Sequence, residues 1–421
     1  MKVVSQIFGT KIMDYALKFC VSVLIARALG PTDKGVLTFA QLVVTWIVTV
    51  GNLGVYDANI FLLGSRRFPV AEVTASTIVI SLLSGIVYAV ALAGVIYCHW
   101  VHWKVGHTAV VYILACAIPF NILINNGTAV LQGLNLFKSY NAFTILTSLT
   151  GLAGVLCVIW VTNQRLVGFA LVLLIAPLLN VSVLIIYWGR LTKWKLRFSR
   201  QYLKESLHYG LRGHLRVLLM LFAQMFDQFV VGTLLAANYL GWYSVAVSLS
   251  TGLIMLPDSV GIILFPRVAS DQSTGAALTA RACRCTILVM AVGAAVGIAF
   301  GRPAVGLLYG KKFLPAATPL YILLIAVIFQ ATSRILRNYM YGMGRPQLTL
   351  WSSGAAAIVT ATAMYPLVKN FGMMGAAIGA LSAQGVGAVV DLIMAVRLSD
   401  MPTRQFVLPQ RTDLRLAAWK P

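Results

Sequence analysis

Apolar runs long enough to cross a bilayer follow one another along almost the whole chain, and nothing constrains its fold more. A hydrocarbon core of ~30 Å takes about 20 helical residues to cross. About twelve segments meet that length, near 6–28, 36–63, 72–98, 108–134, 141–161, 166–189, 208–233, 238–265, 280–300, 314–340, 347–369 and 373–397. Continuous Leu, Val, Ile, Ala and Gly fill them, without the ten-residue alternation of barrel strands, so the expectation is an all-α membrane protein. With 59% of residues hydrophobic and 10% charged, a soluble globular domain is excluded.

The charges are lopsided, 33 Lys plus Arg against 11 Asp plus Glu, for a formal net charge of +22. Basic residues gather in the cytoplasmic loops of membrane proteins. Placing both termini in the cytoplasm puts roughly two-thirds of the 33 basic residues on that side, and the opposite orientation inverts the bias. The densest stretch is a linker over 190–206 with Arg190, Lys193, Lys195, Arg197, Arg200 and Lys204. It reads as an orientation signal touching anionic lipid heads, with no nucleic-acid partner implied. The first apolar run lacks the small-residue cleavage site of a signal peptide and reads as a retained span.

Linkers are short, so no catalytic domain stands outside the bilayer. The six cysteines at 20, 98, 116, 157, 283 and 285 lack the spacing of a zinc site or a disulfide framework and read as buried free thiols. Phosphate-loop, nucleophile-elbow and histidine-ligand signatures are missing from the sequence, so it predicts neither an enzyme nor a bound cofactor. Pro119, Pro177, Pro257 and Pro366 fall within spans as points of kinking.

The two halves resemble each other at an offset of about 206 to 209 residues, found in three places in the same order. Gly35-Val-Leu-Thr-Phe-Ala40 matches Gly241-Trp-Tyr-Ser-Val-Ala246; Leu131 to Asn135 matches Met340 to Gly344; Gly168-Phe-Ala170-Leu171 matches Gly375-Ala-Ala377-Ile378. Six spans per half make the repeats parallel, which predicts two pseudo-symmetric six-helix lobes around a central cleft. The division expected is an N-terminal lobe over 1–206 including the basic linker, a C-terminal lobe over 207–398 and a cytoplasmic tail over 399–421. Such an arrangement suits a transporter that alternates access, whereas channels more often build a pore by oligomeric symmetry.

Ionisable side chains at membrane depth cost at least about 2.5–3.5 kcal/mol each and so mark candidate sites. Lys11, Asp14 and Lys18 share one helical face at steps of three and four. Arg212 and Arg216 stand one turn apart and match the geometry of an anionic group such as a phosphate, with Gln224 and Asp227 further along the stripe. Asn121 and Asn125 map through the repeat onto Gln330 and Arg334. The asparagines read equally as ligands or as interhelical hydrogen-bond glue. Asp57 and Asp391 have no partner in their own helices; each either carries a coupling proton or cation or pairs with a base on a neighbouring helix.

Ala26-Arg27-Ala28-Leu29-Gly30-Pro31, followed by Gly35 and Ala40, resembles the turn after the first span of polysaccharide transporters in the multidrug/oligosaccharidyl-lipid/polysaccharide exporter superfamily. Tyr239 to Ala246 is similar to that family's motif after the seventh span, and Leu307 to Phe313 with Ala316 resembles its loop between the ninth and tenth spans. The resemblance implies a flippase, multi-pass in a bacterial plasma membrane, that moves a polyprenyl-pyrophosphate-linked oligosaccharide between leaflets for surface polysaccharide synthesis. Its partners would be membrane lipids, that substrate and other polysaccharide-assembly proteins. By position and chemistry, Lys11, Lys18, Arg212, Arg216 and Arg334 become candidates for the anionic head group, with Asn121, Asn125 and Gln330 beside them. Coupling to a proton or sodium gradient would give Asp14, Asp57 or Asp227 a role. The competing readings are a multidrug exporter of the same superfamily and a membrane-embedded sugar polymerase or transferase.

Overall fold

The computed structural model describes residues 2–98, 108–399, 401–408 and 410, with side chains described from Gly9 onward. Among them there is no strand. The order is α1 (Lys2–Gly51), α2 (Val55–Gly64), α3 (Val70–Tyr97), α4 (Thr108–Gly133), α5 (Phe137–Val161), α6 (Arg165–Thr192), α7 (Arg200–Leu234), α8 (Ala237–Thr251), α9 (Met255–Ser270), α10 (Gln272–Tyr309), α11 (Ala317–Gly342), α12 (Thr349–Ser399) and α13 (Arg404–Val407). In lipid, helices satisfy every backbone donor and acceptor internally, which is why these apolar sequences take no other form.

Nine helical stretches among the described residues are long and apolar enough to cross a membrane, and α1 with α2 makes a tenth, bent by 44°. Two helices among these, α1 of 50 residues and α12 of 51, are long enough for two full crossings. A 50-residue helix runs ~75 Å at 1.5 Å per residue, more than twice the hydrocarbon core. Gly30 (φ 75) interrupts α1 and Gly372 (φ 58) interrupts α12. At Gly372 the chain folds back on itself: Gly379 packs against Met364, and Gly387 lies beside Ala356. The kinked helices therefore divide into the expected twelve spans, joined at two points by one glycine where the sequence reading places a gap.

Three boundaries differ from expectation. The span over 36–63 is broken at residues 52–54, where Leu53 (φ 53) and Gly54 (φ 73) turn left-handed. The span over 238–265 is interrupted by a tight turn at Gly252–Ile254, just before Pro257. The linker over 190–206 shrinks to residues 193–199, because α6 continues to Thr192 and α7 begins at Arg200, placing Arg200 and Lys204 on a helix. Hydropathy locates apolar stretches but is blind to such breaks, since a single Asn such as Asn52 barely lowers the average over a window of about 20 residues. Most of the expected tail, 411–421 together with 400 and 409, lies outside the described residues.

The chain divides into two compact units, one running up to Leu221 with Ala236–Gly241 and the other comprising Phe222–Leu235 with the chain from Trp242 onward. Leu62, Leu123, Leu131, Leu184, Trp188 and Tyr202 centre the core of the first. Leu264, Cys283, Ile335, Leu336, Tyr339 and Phe406 centre that of the second.

The sequence repeat is also a repeat of backbone geometry. Asn135 (φ 58) and Gly344 (φ 72), equivalent through the duplication, are both left-handed just after α4 and α11. Leu136 N–H donates to the Leu131 carbonyl and Arg345 N–H to that of Met340, both at 2.9 Å, the same helix-ending motif twice. Within the first unit the leading glycine of each repeated G-x-x-[ST]-x-A motif stands at a close backbone crossing. A Cβ on Gly35 would stand 1.7 Å from the Ala237 carbonyl oxygen, and one on Gly241 would stand 2.0 Å from that of Pro31. Only hydrogen on both sides allows the two backbones to cross.

Cys283 is buried and Cys285 half-buried, but Cys20, Cys98, Cys116 and Cys157 are exposed on the helix surfaces, against expectation. A thiol behaves as a small hydrophobe, so a lipid-facing surface accommodates it as well as a core does.

Candidate functional site

In the first unit, α1 places Lys11, Asp14 and Lys18 along one face, as their spacing predicts. Lys18 Nζ donates to Asp14 Oδ2 at 2.8 Å, with the acidic residue N-terminal in the favourable i, i+4 order. Ser148 of α5 donates to the other Asp14 oxygen, so the carboxylate joins two helices. Lys18 stays 63% exposed at its side chain while Asp14 is 14% exposed, leaving most of the ammonium available to another anion. Lys11 is half-buried one turn before Asp14.

Asn121 and Asn125 separate in role. Asn121 is half-buried, donates to the Ala117 carbonyl at 2.8 Å and lines a cavity of about 180 Å³ with Gln41, Thr45 and Pro177. Asn125 is exposed. The buried asparagines of this unit are others. Asn59 donates to Thr77 Oγ1 at 3.2 Å and to the Asn126 carbonyl at 2.8 Å, and it accepts from Tyr202. Asn126 donates to Ser81 at 2.9 Å. This polar knot ties α2, α3, α4 and α7 together and is glue of the kind polar side chains supply within bundles.

The broken turn at 52–54 shapes a second region of this unit. Gly54 and Gly210 approach so closely that a Cβ on Gly54 would lie 2.3 Å from the Gly210 carbonyl oxygen, bringing α7 against the break. His214, one turn further along α7, is 7% exposed. Asp57 is half-buried in the first turn of α2, where the positive end of the helix favours a carboxylate. Arg212 is exposed and Arg216 half-buried on α7.

In the second unit two arginines of the spans pair with aspartates. Arg334 Nη1 donates to Asp258 Oδ1 of α9 at 2.5 Å, so this candidate cation is engaged by a carboxylate that the sequence reading passed over. Asp391, fully buried on α12, accepts from Arg337 Nε of α11 at 2.9 Å. Of the two readings left open for Asp391, the ion pair with a neighbouring helix is the one observed. Asp227 accepts from Tyr243 Oη at 2.7 Å and from the Gln228 N–H at 2.8 Å. Tyr243 lies inside the repeated Gly241–Ala246 motif, so a signal for it was present. Gln330 is half-buried on α11.

Residues 24–318 match the polysaccharide biosynthesis protein family, well over half of the chain. The chain belongs to that family. Among its relatives is a Shigella flexneri protein named as an O-antigen transporter, 22% identical over 84% of this chain and 87% of that protein. A Haloferax volcanii protein named as a low-salt glycan biosynthesis flippase is 22% identical over 91% of this chain and 81% of that protein. Solved structures with this fold include an inward-facing multidrug resistance transporter of the MATE family in the MOP superfamily, with a TM-score of 0.74 at 16% identity over 92% of this chain and 94% of that one. A MOP superfamily transporter from Pyrococcus furiosus aligns with a TM-score of 0.68 at 14% identity, covering 95% and 96%. This member of the family is a multi-pass helical membrane protein with the architecture of the MOP transporters.

Proposed function

We propose that this protein is a flippase that carries a polyprenyl-pyrophosphate-linked oligosaccharide across a bacterial plasma membrane by alternating access, for assembly of surface polysaccharide. The observation carrying the proposal is the match, over most of the chain, to relatives named as an O-antigen transporter and a glycan flippase. Cations carried on the spans support it. Lys11, Lys18, Arg212 and Arg216 lie on spans of the first unit and suit a pyrophosphate, since cations on α-helical spans are retained at a cost that a bound anion offsets. Arg334, already held by Asp258, ranks below them as a ligand. Asn121 and Gln330, both half-buried, suit sugar hydroxyls, and the exposed Asn125 suits them less.

In this scheme both termini lie in the cytoplasm, no cofactor is required, and energy comes from a proton or sodium gradient. Asp14 is the best placed of Asp14, Asp57 and Asp227 to couple it, because protonating Asp14 would release Lys18 to the substrate. Other polysaccharide-assembly proteins would supply and consume the lipid-linked sugar.

The test is complementation of a strain lacking its own exporter. Lys18→Ala and Arg216→Ala are expected to insert at normal levels and abolish export of lipid-linked oligosaccharide. Full export by every single and paired removal of Lys11, Lys18, Arg212 and Arg216 would sink the cationic site. Binding of polyprenyl-pyrophosphate sugars in preference to cationic dyes separates this reading from a multidrug exporter. An unchanged lipid-linked product in liposomes separates it from a sugar transferase.

A further inference from the structure

A cavity of the first unit opens on the outside of the helices, and none of the charged residues above lines it. It has a volume of about 570 Å³ and lies between the C-terminal half of α5 and the N-terminal half of α6. Small residues, Ala153, Gly154, Gly168 and Ala176, recess its walls. Val161, Leu171 and Leu179 on its rim are 78%, 40% and 53% exposed, so the groove faces the bilayer. From Thr150 to Thr162 it runs ~18 Å along α5 at 1.5 Å per residue, close to the ~15 Å of one leaflet's hydrocarbon.

At the α5–α6 turn the groove adjoins a second cavity of about 490 Å³, the two sharing Gln164 and Val167. This one carries charged and amide side chains, with Asp33, Asn163, Gln164 and Arg165 lining it beside Ala28, Leu29, Leu166 and Val167. Arg165 is exposed and uses Nη1 on the Ala28 carbonyl at 3.2 Å. Asp33 is half-buried. The two opposite charges line the same recess without forming an ion pair with each other. A guanidinium with donors to spare matches a phosphate, and a carboxylate across the recess matches a primary ammonium. A purely anionic head group would satisfy Arg165 and be repelled by Asp33.

We propose that this paired groove and recess is a binding site for a zwitterionic aminophospholipid, phosphatidylethanolamine, with one acyl chain between α5 and α6, its phosphate on Arg165 and its ammonium on Asp33. None of the candidate head-group residues lines the site, and the proposal stands whether or not the flippase reading holds. A lipid held here would brace the turn between two spans, and the α5–α6 pair would be sensitive to membrane composition.

The full chain is reconstituted in nanodiscs of equimolar phosphatidylethanolamine, phosphatidylglycerol and phosphatidylcholine. Lipids retained on transfer to detergent are then counted by native mass spectrometry. Wild-type protein is expected to enrich phosphatidylethanolamine about threefold over either competitor, in keeping with a few charge-assisted hydrogen bonds at a wet interface. Arg165→Gln and Asp33→Asn are each expected to bring retention to parity. Cys157→Phe, which fills the groove from its exposed side, is expected to remove the retained lipid, while Val90→Phe on the exposed face of α3 leaves it in place. Parity among the three lipids in the wild type, or preference for phosphatidylglycerol, overturns the proposal. The wild-type comparison needs no substitution, so it stands even where a variant misfolds.

Discussion

Gly35→Ala probes the backbone crossing at the leading glycines of the duplicated motifs directly. The added methyl carbon would stand 1.7 Å from the Ala237 carbonyl oxygen and 2.6 Å from its carbon, both backbone atoms that no side-chain rotation can move aside. Non-bonded heavy atoms rest about 3.5–4.0 Å apart, so the start of the second span and the α7–α8 turn must separate by about 2 Å. Overpacking that forces such backbone movement costs about 1–3 kcal/mol and sometimes more, and with no flexible neighbour to yield, the upper end is expected here. Gly241→Ala meets the Pro31 carbonyl oxygen at 2.0 Å in the same crossing. One separation relieves both clashes, so the double variant should lose markedly less than the sum of the singles. Gly354→Ala is the control, because its Cβ meets nothing within 4 Å and alanine is the better helix former by about 1 kcal/mol. Thermal unfolding of the purified protein in detergent reads all four. A Gly35→Ala protein that melts with the wild type, or strictly additive losses, would refute the reasoning.

Arg337→Ala leaves the fully buried Asp391 carboxylate without its 2.9 Å partner and is expected to destabilise by about 3–5 kcal/mol, seen as reduced folded yield and an earlier melt. Replacing both residues with Met and Leu should recover most of that loss, and no recovery would mean that the pair does more than neutralise itself. Asp271 begins α10, accepting from the backbone N–H groups of Ser273 and Thr274 at 3.0 and 3.4 Å and from their hydroxyls at 2.6 and 2.7 Å. The two hydroxyls first, then the backbone donors, hold its carboxyl down at about 2. A depressed carboxylate stabilises above its unfolded value of 3.8 and loses that contribution as the pH falls toward 2. Asp271→Asn should flatten the stability–pH curve in that window, and an unchanged curve would discount the cap.

The sequence by itself determined the helical class, the number of spans and the duplication, because burying backbone in hydrocarbon permits so few solutions that apolar length alone selects among them. It also placed Lys18 beside Asp14, since a spacing of four on a helix is a spatial statement. What it did not show is how separate helices meet. That Asp391 finds Arg337 and Arg334 finds Asp258 depends on which faces of α9, α11 and α12 come together, and each partner lies more than fifty residues away. The unwinding at 52–54 was hidden because a glycine permits a left-handed turn without requiring one, whereas the folds at Gly30 and Gly372 fall in gaps that the sequence had already placed between spans. Only the packing of Gly210 against Gly54, or of Gly379 against Met364, fixes which glycines turn. Local periodicity is set by the geometry of one helix, whereas the partner of a buried charge is set by the contacts among several, and only the tertiary structure decides those.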